Sequence, residues 1–279
     1  MIELNILPAH RRSNWTRREL EPMNFAKWIA HFEHNRRNRP EPNWSAPVTV
    51  SPKVLAALLP SLEQFQLGDG GGPACLIAFN SERFRGSTSE MRILVDLWFA
   101  EEREHARLLG CAVDRLGGRR IDSHWSFTAF CLCRRVLGVR FELQILLLTE
   151  LVSTAYYRVL RRHSPDAPLA DMCGLILRDE AGHVAFHRDR LASKGRSPLG
   201  LGGAWWQAQF WVCGHAAATV LWTSHGACLN AIGGSRAEYF QEVRRELRHF
   251  ILSLCRAVEP VLRSRNLLYQ PQKQLGSTS

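Results

Sequence analysis

Between Ser197 and Ser235 the chain has no Asp, Glu, Lys or Arg, although 22% of its 279 residues are charged. About twenty predominantly apolar residues can cross a bilayer, and this interval is long enough. However, Gln207, Gln209, His215, Thr223, Ser224, His225 and Asn230 are more polar groups than lipid can satisfy. The expectation is therefore no membrane span but a buried or dimer-facing helix over 204–232, with a homodimer as the assembly it could serve. Lysine is scarce: nearly all of the 36 basic residues are arginine, dispersed in doublets such as Arg11-Arg12, Arg36-Arg37, Arg134-Arg135 and Arg244-Arg245. A nucleic-acid surface more often shows one dense basic stripe with interleaved aromatics. The net charge of +10 and pI near 9.6 are thus assigned to solvated helix faces, and no nucleic-acid partner is expected. C-x-x-C pairs are missing as well. The eight cysteines (75, 111, 131, 133, 173, 213, 228, 255) lie mostly in apolar helical runs, which excludes a zinc ribbon or a dense disulfide scaffold and fits a reducing compartment. The opening Met1-Ile2-Glu3-Leu4 places an acid where a signal peptide carries bases, and no apolar core follows, so a cytoplasmic location is expected.

What is present is helical periodicity. A content of 46% hydrophobic residues suffices for a substantial core. Residues 1–52 read as an N-terminal arm with one short helix, Phe25 to Arg36, ending at Pro40 and Pro42. Ser51-Pro52 opens a helix as N-cap and N1, with Val54, Leu55, Leu58, Leu59, Leu62 and Phe65 on its apolar stripe, running toward Asp69 and stopped by Gly70-Gly71-Gly72-Pro73. A second helix starts near Ser87 to Ser89 and stops at Gly117-Gly118. A third spans Val139 to Arg162, and a fourth runs from Leu169 to Ala192 after the Pro165-to-Pro168 turn. Trp125 to Val136 is an apolar crossing between the second and third helices. The predicted fold class is all-α: a four-helix bundle with one long crossover, an N-terminal arm and two additional C-terminal helices. The helical domain covers 53–265, with its bundle at 53–192 and the extra helices at 204–232 and 236–263; residues 266–279 are expected to be a disordered tail.

Glu102-Arg-Glu-His105 and Glu180-Ala-Gly-His183 are two copies of Glu-x-x-His, each inside a predicted helix. Positions i and i+3 share a helix face, so each copy aims one carboxylate and one imidazole the same way. Two such pairs, each with one upstream carboxylate, form the ligand set of a di-iron or di-manganese site within a four-helix bundle. Such ions accept carboxylate and imidazole together. For the third helix Glu150 is preferred. It lies among Leu146, Leu147, Leu148, Leu151 and Val152, where an unpaired carboxylate is costly, whereas Glu142 lies near the helix start and is favoured there by the macrodipole. By symmetry the fourth carboxylate falls on Asp69, with Glu63 as the alternative.

Phe65-Gln66-Leu67-Gly68-Asp69, Ala100-Glu101-Glu102-Arg103-Glu104-His105, Glu150 with Tyr156-Tyr157, and Arg178-Asp179-Glu180-Ala181-Gly182-His183 together resemble the ferritin-like di-iron carboxylate superfamily. That superfamily includes ribonucleotide reductase small subunits, acyl-carrier-protein desaturases and many uncharacterised bacterial members, to which the likeness is greatest. The resemblance covers 53–192 and implies Asp69, Glu102, His105, Glu150, Glu180 and His183 as metal ligands. The glycine run after Asp69 departs from the family pattern. Asp179 resembles the acid that accepts the free N–H of the histidine on the opposite helix, and Glu101 is placed to do the same for His183. His187, one turn beyond His183, is a minor candidate. Thr154 stands where oxygen-activating members carry a hydroxyl, and Tyr157, a turn further on, is placed to relay an electron or to pack. The implied cofactor is two iron ions, or manganese with iron. The implied activity is an O₂-activating oxidoreductase acting on a small-molecule or carrier-bound substrate, with a ferredoxin or flavin reductase as electron donor. The alternatives are an iron-handling or peroxide-detoxifying protein, or a helical scaffold that has lost its metal.

Overall fold

The computed structural model describes residues 23–70, 89–193 and 198–268. Among these residues there are seven helices and no strand: α1 (Phe25–Arg37), α2 (Pro52–Asp69), α3 (Ser89–Arg115), α4 (Trp125–His163), α5 (Ala167–Ser193), α6 (Gly200–Ala231) and α7 (Arg236–Leu268). The chain is all-α, as its periodicity predicts. α2 begins at Pro52 after Ser51, although the Ser51 side chain makes no capping hydrogen bond. The glycine run 71–73 and the tail from 269 onward lie outside the described residues. The largest departure is at Trp125 to Val136. Expected as a separate crossing, this segment is helical and continuous with the helix that carries Glu150, so only residues 116–124 connect α3 to α4. Nothing in it breaks a helix: it has no proline, and its apolar run continues into Leu143 and Leu147. α6 begins four residues before the expected Ala204, and α7 extends past Arg263 to Leu268.

Helix directions follow from contacts at the ends. Arg115, in the last turn of α3, donates two hydrogen bonds to Asp166 in the α4–α5 turn at 2.8 and 2.9 Å. The C-terminal ends of α3 and α4 therefore coincide, and α5 starts from the same end. Glu63 of α2 accepts from the backbone N–H of Arg119, just past α3, at 3.0 Å. Leu59 and Glu63 thus lie by Gly118 and Arg119 at that end, while Gly70, just past α2, lies by Ala106 further back along α3, so α2 runs antiparallel to α3. α2 packs on α3 and α4 on α5, with α3 also touching α5. α6 lies against α2 and α4, and α7 covers α4, α5 and α6. One hydrophobic core runs through these elements, from Leu58 and Leu62 through Leu109, Leu147 and Ile176 to Leu247 and Leu254.

α1 forms a smaller cluster of its own. Trp28 and Phe32 are buried against Leu94, Trp98 and Phe186, so the arm is laid over α3 and α5. A Cβ at Gly182 of α5 would stand 2.3 Å from His31 Nε2, which makes this glycine the point of closest approach between arm and bundle. Arg115 ties down the rest of the arm. Besides Asp166 it donates to the carbonyls of Trp44, Ala46 and Pro47. Its side chain and that of Asp166 are almost fully buried, and removing one partner of such a pair costs about 3–5 kcal/mol. Arg115→Met is expected to lose about that much in urea denaturation, because the Asp166 carboxylate is left buried without its cation.

Candidate metal centre

The middle turns of α3, α4 and α5 bring their acids and imidazoles into one buried space. His105, Glu150, Glu180 and His183 are buried, while Glu102 is partly so. Two triads, Glu102 with His105 and Glu180, and Glu102 with Glu150 and His183, each offer ligand atoms within 4.8 Å of one another. Glu102 belongs to both. His105 Nδ1 lies 3.5 Å from Glu102 and 3.6 Å from Glu180. His183 Nδ1 lies 3.3 Å from Glu102, 3.4 Å from Glu180 and 3.9 Å from Glu150.

Each imidazole is oriented from its other nitrogen. His105 Nε2 lies 3.2 Å from Asp179 on α5, and His183 Nε2 lies 3.0 Å from Glu101 on α3. The acids accept these N–H groups, so both rings turn Nδ1 toward the carboxylates. The exchange is reciprocal, since each Glu-x-x-His helix supplies the acid that orients the other helix's histidine. Trp98, one turn before Glu102, donates its indole N–H to Glu102 at 2.8 Å.

The remaining candidates stand at different depths. Asp69, partly buried at the end of α2, accepts from the Tyr157 hydroxyl at 3.5 Å and belongs to neither triad. The alternative, Glu63, lies nearly two turns before Asp69 and accepts from the backbone N–H of Arg119. Glu142 has its side chain outside the described residues. His187 is buried, with Nε2 3.5 Å from Glu150 and Nδ1 3.0 Å from Arg190. The Thr154 hydroxyl is buried without a hydrogen-bond partner. Tyr157 is fully buried and packs against Phe65 and Tyr156. On α6, His215 donates from Nδ1 to the Trp211 carbonyl of its own helix, and His225 bonds Ser61.

Sequence reasoning missed Arg39. Its guanidinium, in the segment after α1, lies 2.7 Å from Asp179 and 3.2 Å from Glu101 and so joins the two orienting acids. No spacing rule links an arginine before Pro40 to helices more than sixty residues away. Trp98 was legible in principle, because its i, i+4 relation to Glu102 puts both on one face.

The electrostatics are those of charges held in apolar surroundings. Burial opposes a charge on His105, but its bond to Asp179 and the nearness of Glu102 and Glu180 outweigh this and lift its pKa to about 10. His183 is likewise raised, against burial, by the field of Glu102 and its bond to Glu101. Burial pushes Glu150 up to about 8 and Glu180 up to about 7, in each case against the pull of His183. Asp69 is raised by burial and by Glu102. Glu102 goes the other way: burial is outweighed by His183, His105 and Trp98, which hold it at about 2.

Among the described residues, His105 Nδ1, His183 Nδ1, Glu150 Oε2, Glu180 Oε2 and His187 Nε2 are buried with no hydrogen-bond partner. Orphaned buried polar atoms are rare, and each costs about 1–3 kcal/mol. These five are carboxylate and imidazole atoms, the donor types that hold metal ions, and four of them belong to residues of the two triads. Divalent cations fit this donor set, since His105, His183, Glu102, Glu150 and Glu180 are hard nitrogen and oxygen ligands. Two such ions carry a charge that these three carboxylates and Asp69 together balance. No protein-family model matches the chain, and comparison with curated proteins and with solved structures returns no match.

Proposed function

We propose that this protein is a ferritin-like di-metal carboxylate oxidoreductase that uses O₂ on an organic substrate. The observation that carries the reading is the convergence of unpartnered His105 Nδ1, His183 Nδ1, Glu150 Oε2 and Glu180 Oε2 around the shared Glu102. Two iron ions, or manganese with iron, would be held by Glu102, His105, Glu150, Glu180 and His183, with Asp69 as the outlying ligand. When bound, such a pair supplies redox chemistry with O₂ that no side chain here could perform.

The chain's own contribution is orientation and exclusion. Asp179 and Glu101 fix the imidazole tautomers and raise their basicity. Phe32 and Trp98, packed on His183, and Phe186, packed on His187, shield the imidazoles from bulk water. Thr154 offers a buried hydroxyl one turn from Glu150, able to donate a proton or hold one. Tyr157 holds its proton firmly, since burial and Asp69 raise its pKa, and it donates a hydrogen bond to Asp69. An external electron donor such as a ferredoxin or flavin reductase belongs to this reading. Iron storage is disfavoured by the +10 balance, because a mineral-holding interior is acidic.

Anaerobic reconstitution with Fe(II) or Mn(II) should load two ions per chain, and oxygen uptake with a reductant should proceed without a mineral core. A folded sample that takes up no metal refutes the proposal. Metal uptake must also displace protons. With His105 near 10, Glu150 near 8 and Glu180 near 7, the metal-free site is protonated at pH 6 and progressively less so toward pH 8. Apparent affinity should therefore rise by at least about tenfold per pH unit over that range. Calorimetry in buffers of different ionisation enthalpy measures the proton release directly, and a pH-independent affinity contradicts the assignment.

A further inference from the structure

We infer that the outer face of α6 is a self-association surface, occupied by the same face of a second copy of this chain. The inference is independent of the metal centre. α6 buries Trp206, Phe210, Gly214, Ala218, Cys228 and Leu229 against the bundle. On the opposite side Leu201, Trp205, Val212 and Val220 are exposed, with Leu201 at 93% and Val212 at 70%. At 100° per residue these four fall on one stripe, together with Ala208, Ala216, Thr219 and Thr223. The stripe's hydroxyls are turned inward: Thr219 donates to the His215 carbonyl and Thr223 to the Val220 carbonyl, both at 2.8 Å, which leaves their methyl groups outermost. Gln209 adds one exposed amide, which can both donate and accept across an interface. Contiguous exposed apolar surface of this kind marks an interaction site.

Charge selects the occupant. The chain carries +10, so two copies repel wherever their arginine-rich faces meet. From Pro198 to Ser235 there is no acid and no lysine or arginine, and this helix is where copies approach without that cost. The same lack disfavours an anionic membrane, which is drawn to apolar helices flanked by Lys or Arg. A helix of 32 residues is about 48 Å long. The stripe itself, from Leu201 to Thr223, covers about 35 Å of this length; at about 10 Å wide it buries roughly 350 Å² per copy, about 700 Å² in all, the size of a weak, concentration-dependent pair. An isologous pair sets the stripe against itself. Cys213, exposed at the edge of the stripe and near the middle of α6, then lies on the same flank as its own counterpart when the two helices run antiparallel, the arrangement inferred here.

Light scattering of the full chain at tens of micromolar should give twice the 31.7 kDa of one chain, with the dimer persisting or tightening as salt screens the repulsion elsewhere. Val212→Arg/Val220→Arg should run as a monomer with unchanged helicity. On the unmodified chain, a short bis-maleimide should trap a covalent dimer that is lost in Cys213→Ser, which gives a readout even if the arginine variant misfolds. A monomer throughout, a dimer indifferent to the arginines while Cys213 fails to cross-link, or a monomer that pellets with phosphatidylcholine–phosphatidylserine vesicles would each overturn the inference.

Discussion

Glu180→Ala should empty the centre while leaving the helices in place. Metal content after reconstitution is expected to fall from two ions per chain to half or less, and far-ultraviolet circular dichroism should remain that of the parent. Glu180 is one of the buried acids that belong together only in the presence of a cation. In the metal-free fold, burial raises its pKa to about 7 despite His183. An acid whose folded pKa exceeds its unfolded value holds a proton that the unfolded chain has released. Its contribution to stability is therefore largest below the unfolded value near 4.5 and is lost as pH climbs to about 7. At pH 7.5 alanine removes that penalty, so the metal-free variant should melt at or above the metal-free parent. What the variant loses is the response to metal. At a hundredfold excess over Kd, binding stabilises the parent by about 2.7 kcal/mol, which is several degrees in Tm; the variant should show almost none. Collapse of the fold with metal content unchanged would contradict the assignment.

Arg39→Met should damage both the fold and the site. The guanidinium is nearly inaccessible, as are the Asp179 and Glu101 carboxylates it joins. Removing one member of a buried ion pair costs about 3–5 kcal/mol, because the remaining charges are left in a medium that cannot solvate them. Asp179 keeps Arg178 at 2.9 Å, so a loss toward the lower bound is expected in chemical denaturation. The effect on metal is separate. Asp179 and Glu101 hold His105 and His183, and disturbing such orienting acids typically costs about 10–100-fold in affinity. Both ions should weaken together, since one arginine serves both halves. Arg39→Lys should restore charge without the two-pronged geometry, recovering stability more fully than affinity. Parent-like affinity in a folded Arg39→Met protein would remove Arg39 from the site.

The parts of this protein legible in its sequence are those that obey a short-range rule. The i, i+3 relation in Glu102-x-x-His105 and Glu180-x-x-His183 fixes a shared face before any tertiary contact exists, and Glu150 stands out as a carboxylate among leucines. Helix starts at Pro52 and stops near Gly117 follow local backbone chemistry. Trp125 to Val136 failed as a separate crossing because apolar content alone does not distinguish the beginning of a long helix from a connection. Arg39 escaped notice for a different reason: its partners lie on other elements, and arginine is so common here that no single one is conspicuous. Asp69 lies beside Tyr157, from whose hydroxyl it accepts a hydrogen bond; the shorter side chain at a helix end explains why it stands outside both triads.

The inner side of α6 carries a buried polar chain whose consequence is mechanical. Ser61 of α2 lies 2.7 Å from the Tyr156 hydroxyl and 2.8 Å from His225 Nδ1, and Tyr156 also meets Cys228 at 3.3 Å. Burial lowers the His225 pKa to about 4, so the ring stays neutral across physiological pH. A cylinder coated with greasy side chains could roll on its bed and settle at several azimuths of similar energy. These bonds act as a key in a slot: any rotation of α6 breaks them in a medium with no water to replace them. The angle at which the helix presents Trp205 and Val212 to the outside is thereby set from within.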